Sequence, residues 1–157
     1  MLDGDLFTVL ELTNKVVRHR FPPFPAIPTL IKSTPTMSNP PTSNDQLAAE
    51  ILIAPSNISF PTTYLYLSNR NDPSPQGDII SIFSIQNSDS LELIAEIRTG
   101  LNHLRGMAFG GPDDKYLIAG GVNGGGVKVF ERIEGGKSLQ LIATNNSIEA
   151  PTCFLWL

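Results

Sequence analysis

Short apolar runs with two-residue alternation recur along this chain, each cut off by clusters of Gly, Pro, Asn, Asp and Ser. Runs of that length and period predict β-strands, not helices. Asp5-Leu6-Phe7-Thr8-Val9-Leu10 and Lys15-Val16-Val17-Arg18-His19-Arg20-Phe21 flank the turn residues Thr13-Asn14 and read as a hairpin. Pro22, Pro23, Pro25, Pro28, Pro35, Pro40 and Pro41 follow, none able to donate to a ladder, so 22–46 reads as a long irregular connection with a short strand at 27–32.

Downstream the pattern repeats. Thr63-Tyr64-Leu65-Tyr66-Leu67-Ser68-Asn69 overlays Lys115-Tyr116-Leu117-Ile118-Ala119-Gly120-Gly121, and Ile79-Ile80-Ser81-Ile82-Phe83-Ser84-Ile85 overlays Gly126-Val127-Lys128-Val129-Phe130-Glu131-Arg132. Ser90-Leu91-Glu92-Leu93-Ile94-Ala95 then overlays Ser138-Leu139-Gln140-Leu141-Ile142-Ala143. A period of about 50 residues with four short strands per unit is the signature of propeller blades. The predicted fold is therefore all-β, about three four-stranded antiparallel blades: 5–47 with its proline-rich connection 22–46, then 48–100, then 103–149, with a further inner strand starting at 151–157. Three blades do not close a ring, so a truncated homologue is expected, with blade faces free for self-association.

Composition narrows the function. The net charge is −4 and the 11 basic residues are scattered, which argues against a nucleic-acid partner. Cys153 is the sole cysteine, so an internal disulfide and a multi-cysteine zinc site are ruled out, and a reducing compartment is the expectation. Acidic residues at Met1-Leu2-Asp3-Gly4-Asp5 replace the basic start of a secretion signal, and no apolar run nears the ~20 residues that span a bilayer. A cytoplasmic protein with no membrane partner is expected. Gly124-Gly125-Gly126 leads into a β pattern and reads as a hairpin turn, not as a phosphate loop.

Four runs carry a family resemblance: Tyr64-Leu65-Tyr66-Leu67-Ser68-Asn69-Arg70-Asn71, Gly77-Asp78-Ile79-Ile80-Ser81-Ile82-Phe83, His103-Leu104-Arg105-Gly106-Met107 and Lys115-Tyr116-Leu117-Ile118-Ala119-Gly120-Gly121. They resemble the lactonase-type seven-bladed propellers, the group of 6-phosphogluconolactonases and fungal carboxy-cis,cis-muconate cyclases. Gly124–Arg132 and Phe154-Leu155-Trp156-Leu157 look closer to the cyclase branch.

That resemblance implies an isomerase of the intramolecular-lyase type, closing a γ-lactone from a carboxymuconate in aromatic-compound breakdown. Lactone hydrolysis of the 6-phosphogluconolactonase type, or a non-catalytic interaction module, are the alternatives. Either chemistry takes a small anionic carboxylate or lactone substrate and needs no metal or organic cofactor. Fixed cations and one proton donor would serve it.

The candidate site residues are Arg70, His103 and Arg105. The resemblance places Arg70 at the ligand end of the channel as a carboxylate clamp; without it, a solvated loop arginine is the commoner role. His103 and Arg105 stand two apart, so an extended chain would turn both to one side. They would meet at the channel mouth, with His103 as a proton donor or neutral hydrogen-bond donor near pH 7, or else His103 orders the inter-blade loop and Arg105 bonds backbone carbonyls. Glu131 and Arg132 are expected to form a structural ion pair, and His19 to be a surface strand residue without a role.

Overall fold

The computed structural model describes residues 4–23, 25–39, 41–42 and 44–156. Met1, Leu2, Asp3 and Leu157 lie outside the described residues, so the expectations resting on them have no structural counterpart. Three antiparallel sheets follow one another along the chain. The first contains β1 (Asp5–Leu10), β2 (Lys15–Arg20) and β3 (Thr29–Pro35). The second runs in order β4 (Leu47–Ile53), β5 (Tyr64–Arg70), β6 (Ile79–Ser84) and β7 (Glu92–Arg98). The third runs β8 (Asn102–Gly110), β9 (Tyr116–Gly124), β10 (Val127–Ile133) and β11 (Ser138–Asn145).

The first sheet has three strands where four were expected. Its third strand forms inside the proline-rich stretch because β3 is an edge, where the missing N–H of Pro35 interrupts no further ladder. The repeat is exact in register: Leu65 pairs with Phe83 on the second sheet as Leu117 pairs with Phe130 on the third.

Why the sheets stack is written in β5. Its alternation sends Leu65 and Leu67 to a core shared with Val16 of the first sheet, and Tyr64 and Tyr66 to a core shared with Leu104, Met107 and Leu117 of the third. A sheet buried on both faces has apolar residues at both phases of the strand period. Polar staples lock the stack. Asn14, in the left-handed conformation (φ 49°), donates from Nδ2 to the Gln46 carbonyl (2.7 Å) and accepts from the Ala48 amide (2.6 Å). Asp78 holds the start of the next innermost strand in the same way, accepting from the Leu104 amide at 2.6 Å.

Two local expectations are corrected. Glu131 pairs with Lys115 (2.9 Å), not with Arg132. Arg132 is buried instead, its guanidinium 3.9 Å from the centre of the Phe60 ring and its Nε donating to the Tyr66 hydroxyl at 3.1 Å. Alternation on β10 sends these neighbours to opposite faces, so they cannot reach each other. The segment 151–156 does not join a sheet as a strand; it packs over Gly106, Gly110 and Gly120 of the third sheet, and Trp156 stacks on Tyr116 with ring centres 6.4 Å apart. Gly124, Gly125 and Gly126 all have positive φ and turn β9 into β10, with the Gly121 amide donating to the Gly126 carbonyl at 3.0 Å.

Candidate functional site

The innermost strands β1, β4 and β8 converge on a cavity of about 360 Å³. Val9, Ala48, Ala49, Glu50 and Arg105 come from those strands, Glu11 from the turn after β1, Arg70 from the end of β5 and Thr152 from the terminal segment. Four opposed charges in one hollow distinguish it from the rest of the surface. A larger hollow of about 490 Å³ lies near Asp72, but its charged groups are engaged: Asp72 pairs with Arg98 (2.7 Å) and accepts from Gln46 (2.9 Å), and Glu96 accepts from the Ser38 amide (2.9 Å).

β-Bulges place two of the charges. On β4, Ala48 faces Asn69 and Ile51 faces Leu67, so Ala49 and Glu50 together oppose Ser68. On β8, Leu104 faces Gly121 and Gly106 faces Gly120, which leaves Arg105 as the extra residue. A bulge redirects a side chain that regular alternation would have aimed elsewhere. Arg105 is exposed, and it has no ion-pair partner among the described residues.

Arg70 is held from two sides. Its Nη2 pairs with the Glu11 carboxylate and its Nη1 lies 2.8 Å from His103 Nε2. A guanidinium only donates, so Nε2 must accept, and the imidazole is neutral with its proton on Nδ1. That proton is donated to Asn71 Oδ1 at 2.6 Å. Burial first, then the charges of Arg70 and Arg105, pull the His103 pKa below its ordinary value, against the opposing charge of Asp78.

All three sequence-predicted residues therefore gather in one place. Arg70 and Arg105 line the cavity, whereas His103 stands behind Arg70 with both ring nitrogens engaged. The extended-chain premise fails at His103, whose φ is 59°. Sequence reasoning missed Glu11 and Glu50. The signal for Glu50 was present: it is the single charge in the run Leu47-Ala48-Ala49-Glu50-Ile51-Leu52-Ile53. Among the described residues no cluster of three or more His, Cys, Asp or Glu is arranged to hold a metal, and no helix is long and apolar enough to cross a membrane.

The family profile of the seven-bladed β-propeller lactonases matches residues 4–156. The chain belongs to that lactonase family. The chain is similar to several solved structures over nearly all its length. A candidate 6-phosphogluconolactonase from Bacteroides fragilis NCTC 9343 shares 21% identity at a TM-score of 0.75, over 96% of this chain and 38% of that one. A Lactobacillus plantarum protein gives 18% at 0.77, over 96% and 40%. The periplasmic gluconolactonase of Pseudomonas aeruginosa gives 14% at 0.70, over 93% and 37%. This lactonase-family chain thus spans about two fifths of the length of these structures. A search of curated proteins finds no match.

Proposed function

We propose that this chain contributes to the axial site of a lactone hydrolase acting on an anionic, sugar-acid type lactone. The observation that carries this reading is a guanidinium without an ion-pair partner among the described residues, Arg105, and a braced one, Arg70, facing one hollow between innermost strands of a lactonase-family fold. Arg105 is free to take a phosphate or carboxylate bidentately. Arg70 offers fixed positive charge toward the carbonyl oxygen that becomes an alkoxide when water adds.

Cyclisation of a carboxymuconate, which the resemblance of the chain's end implied, would draw on the same cations. The family description and the names of the structural neighbours favour hydrolysis over cyclisation. The experiment is a direct competition of chemistries on the 157-residue chain: opening of 6-phosphogluconolactone and gluconolactone against closure of carboxy-cis,cis-muconate. Lactone opening above the uncatalysed rate is expected; diene closure alone would reverse the ranking.

Two further expectations belong to this proposal. Exposed Leu6, Leu10 and Leu30 on the first sheet and Leu141 and Ile142 on β11 leave apolar surface at both ends of the stack, which favours self-association. Sedimentation velocity should show a concentration-dependent shift to larger species. The cytoplasm, with its reducing conditions, fits an exposed lone Cys153 and is the proposed location, testable by fractionation.

A further inference from the structure

The lactone-hydrolase reading needs a group to take a proton from water, and neither arginine can. Of the two carboxylates on the cavity, Glu11 is committed to the Arg70 guanidinium. His103 is closed to the task because Nε2 already accepts from Arg70. Glu50 is different. Its backbone amide leaves the strand ladder and donates to Ser68 Oγ at 2.9 Å, which fixes the bulge on β4 that carries the side chain to the cavity. Its carboxylate has no hydrogen bond or ion pair among the described residues, although Arg70 and Arg105 line the same hollow.

Resting on the hydrolase reading, we propose that Glu50 is the general base that activates water for attack on the lactone carbonyl. The carboxylate takes one proton from water while the water oxygen forms a bond to the carbonyl carbon. The carbonyl π pair moves onto oxygen and is balanced by the guanidinium charge. Collapse re-forms the carbonyl and breaks the ring carbon–oxygen bond, and the departing alkoxide recovers the proton from Glu50. The net reaction adds one water and gives a hydroxy acid, which ionises. Burial raises the Glu50 pKa above its ordinary value, which makes the carboxylate a stronger base than an exposed glutamate. Glu50 is half-buried on the hollow without a partner among the described residues, an arrangement that disfavours folding and so is not explained as a fold requirement.

The test compares the 157-residue chain with Glu50→Gln and Glu50→Asp on 6-phosphogluconolactone across pH, with 6-phosphogluconate as a binding probe. Glu50→Gln should lower kcat/KM by about 100-fold or more and erase the acidic limb of the profile, while probe affinity changes only a few-fold. Glu50→Asp should keep that limb with kcat reduced. A Gln variant with the parent's rate and limb would overturn the assignment and leave the hydrolase reading standing. A parent chain that opens no lactone would sink the hydrolase reading and the assignment with it. If circular dichroism shows Glu50→Gln unfolded, Glu50→Asp decides: an unchanged kcat overturns the proposal.

Discussion

Arg70 Nη1 donates to His103 Nε2 across 2.8 Å, a contact that can exist only while the imidazole is uncharged. Protonating His103 would set two donors against each other and release the guanidinium from one of its two supports. With Nε2 accepting from Arg70, the neutral histidine braces the cation.

This relationship sets a pH dependence. The folded-state pKa of His103 is lowered from 6.5, so as pH falls the unfolded chain takes up its proton first. Stability from this group is whole above the unfolded value and is lost progressively as pH drops below it toward the folded value. The urea midpoint should fall between pH 7 and pH 5 more steeply for the parent than for His103→Gln, which cannot titrate. Parallel slopes would refute the lowered folded-state pKa of His103.

Arg70→Lys keeps the charge but cannot serve Glu11 and His103 together from one ammonium. Loss of one charge-assisted hydrogen bond is worth about 1.5–3 kcal/mol. We expect kcat/KM to drop about 10- to 100-fold. Steady-state kinetics on the lactone that the parent opens would measure this, and Arg70→Lys with parental kinetics would remove the residue from the site.

Arg132 illustrates a buried cation held without a carboxylate. Its guanidinium lies near Phe60, Tyr66 and Phe109 and also donates to the Asp114 carbonyl at 3.1 Å. Truncation removes packing and leaves that carbonyl and the Tyr66 hydroxyl short of a donor. Arg132→Ala should cost about 3 kcal/mol in urea unfolding, and Arg132→Lys about 2, since an ammonium cannot stack as a planar guanidinium does.

Gly110 lies against the Trp156 indole, and an added Cβ would clash with Cγ, Cδ2 and Cε3 of that ring. Gly110→Ala should lift 150–156 from the third sheet at a cost of about 1–3 kcal/mol. Trp156 is the only tryptophan, so its emission reports the event: a red shift and faster quenching by acrylamide are expected. An unshifted spectrum would mean that the segment packs otherwise.

How much was legible differs between strand and site. Tyr64-Leu65-Tyr66-Leu67 reads as a strand buried on both sides, because each phase of the alternation is apolar, and that is how β5 sits. Arg70 and Arg105 were recognisable through motif resemblance, and both line the hollow. The partners were not legible. Glu11 is 59 residues from Arg70, and the shared phase of His103 and Arg105 was inferred from a regular strand that the bulges of β8 break.

By itself, then, the sequence determined the all-β class, the strands of the second and third sheets to within a few residues, and that successive sheets must cover each other's faces. These follow from period-two alternation and local backbone sterics, which act between near neighbours. Only the tertiary structure decided that Glu11 and His103 grip Arg70, that His103 is neutral, and that Glu50 faces the hollow unpaired. Those outcomes depend on bulges and on contacts between separate sheets, where a shift of one residue in register changes which side chain arrives.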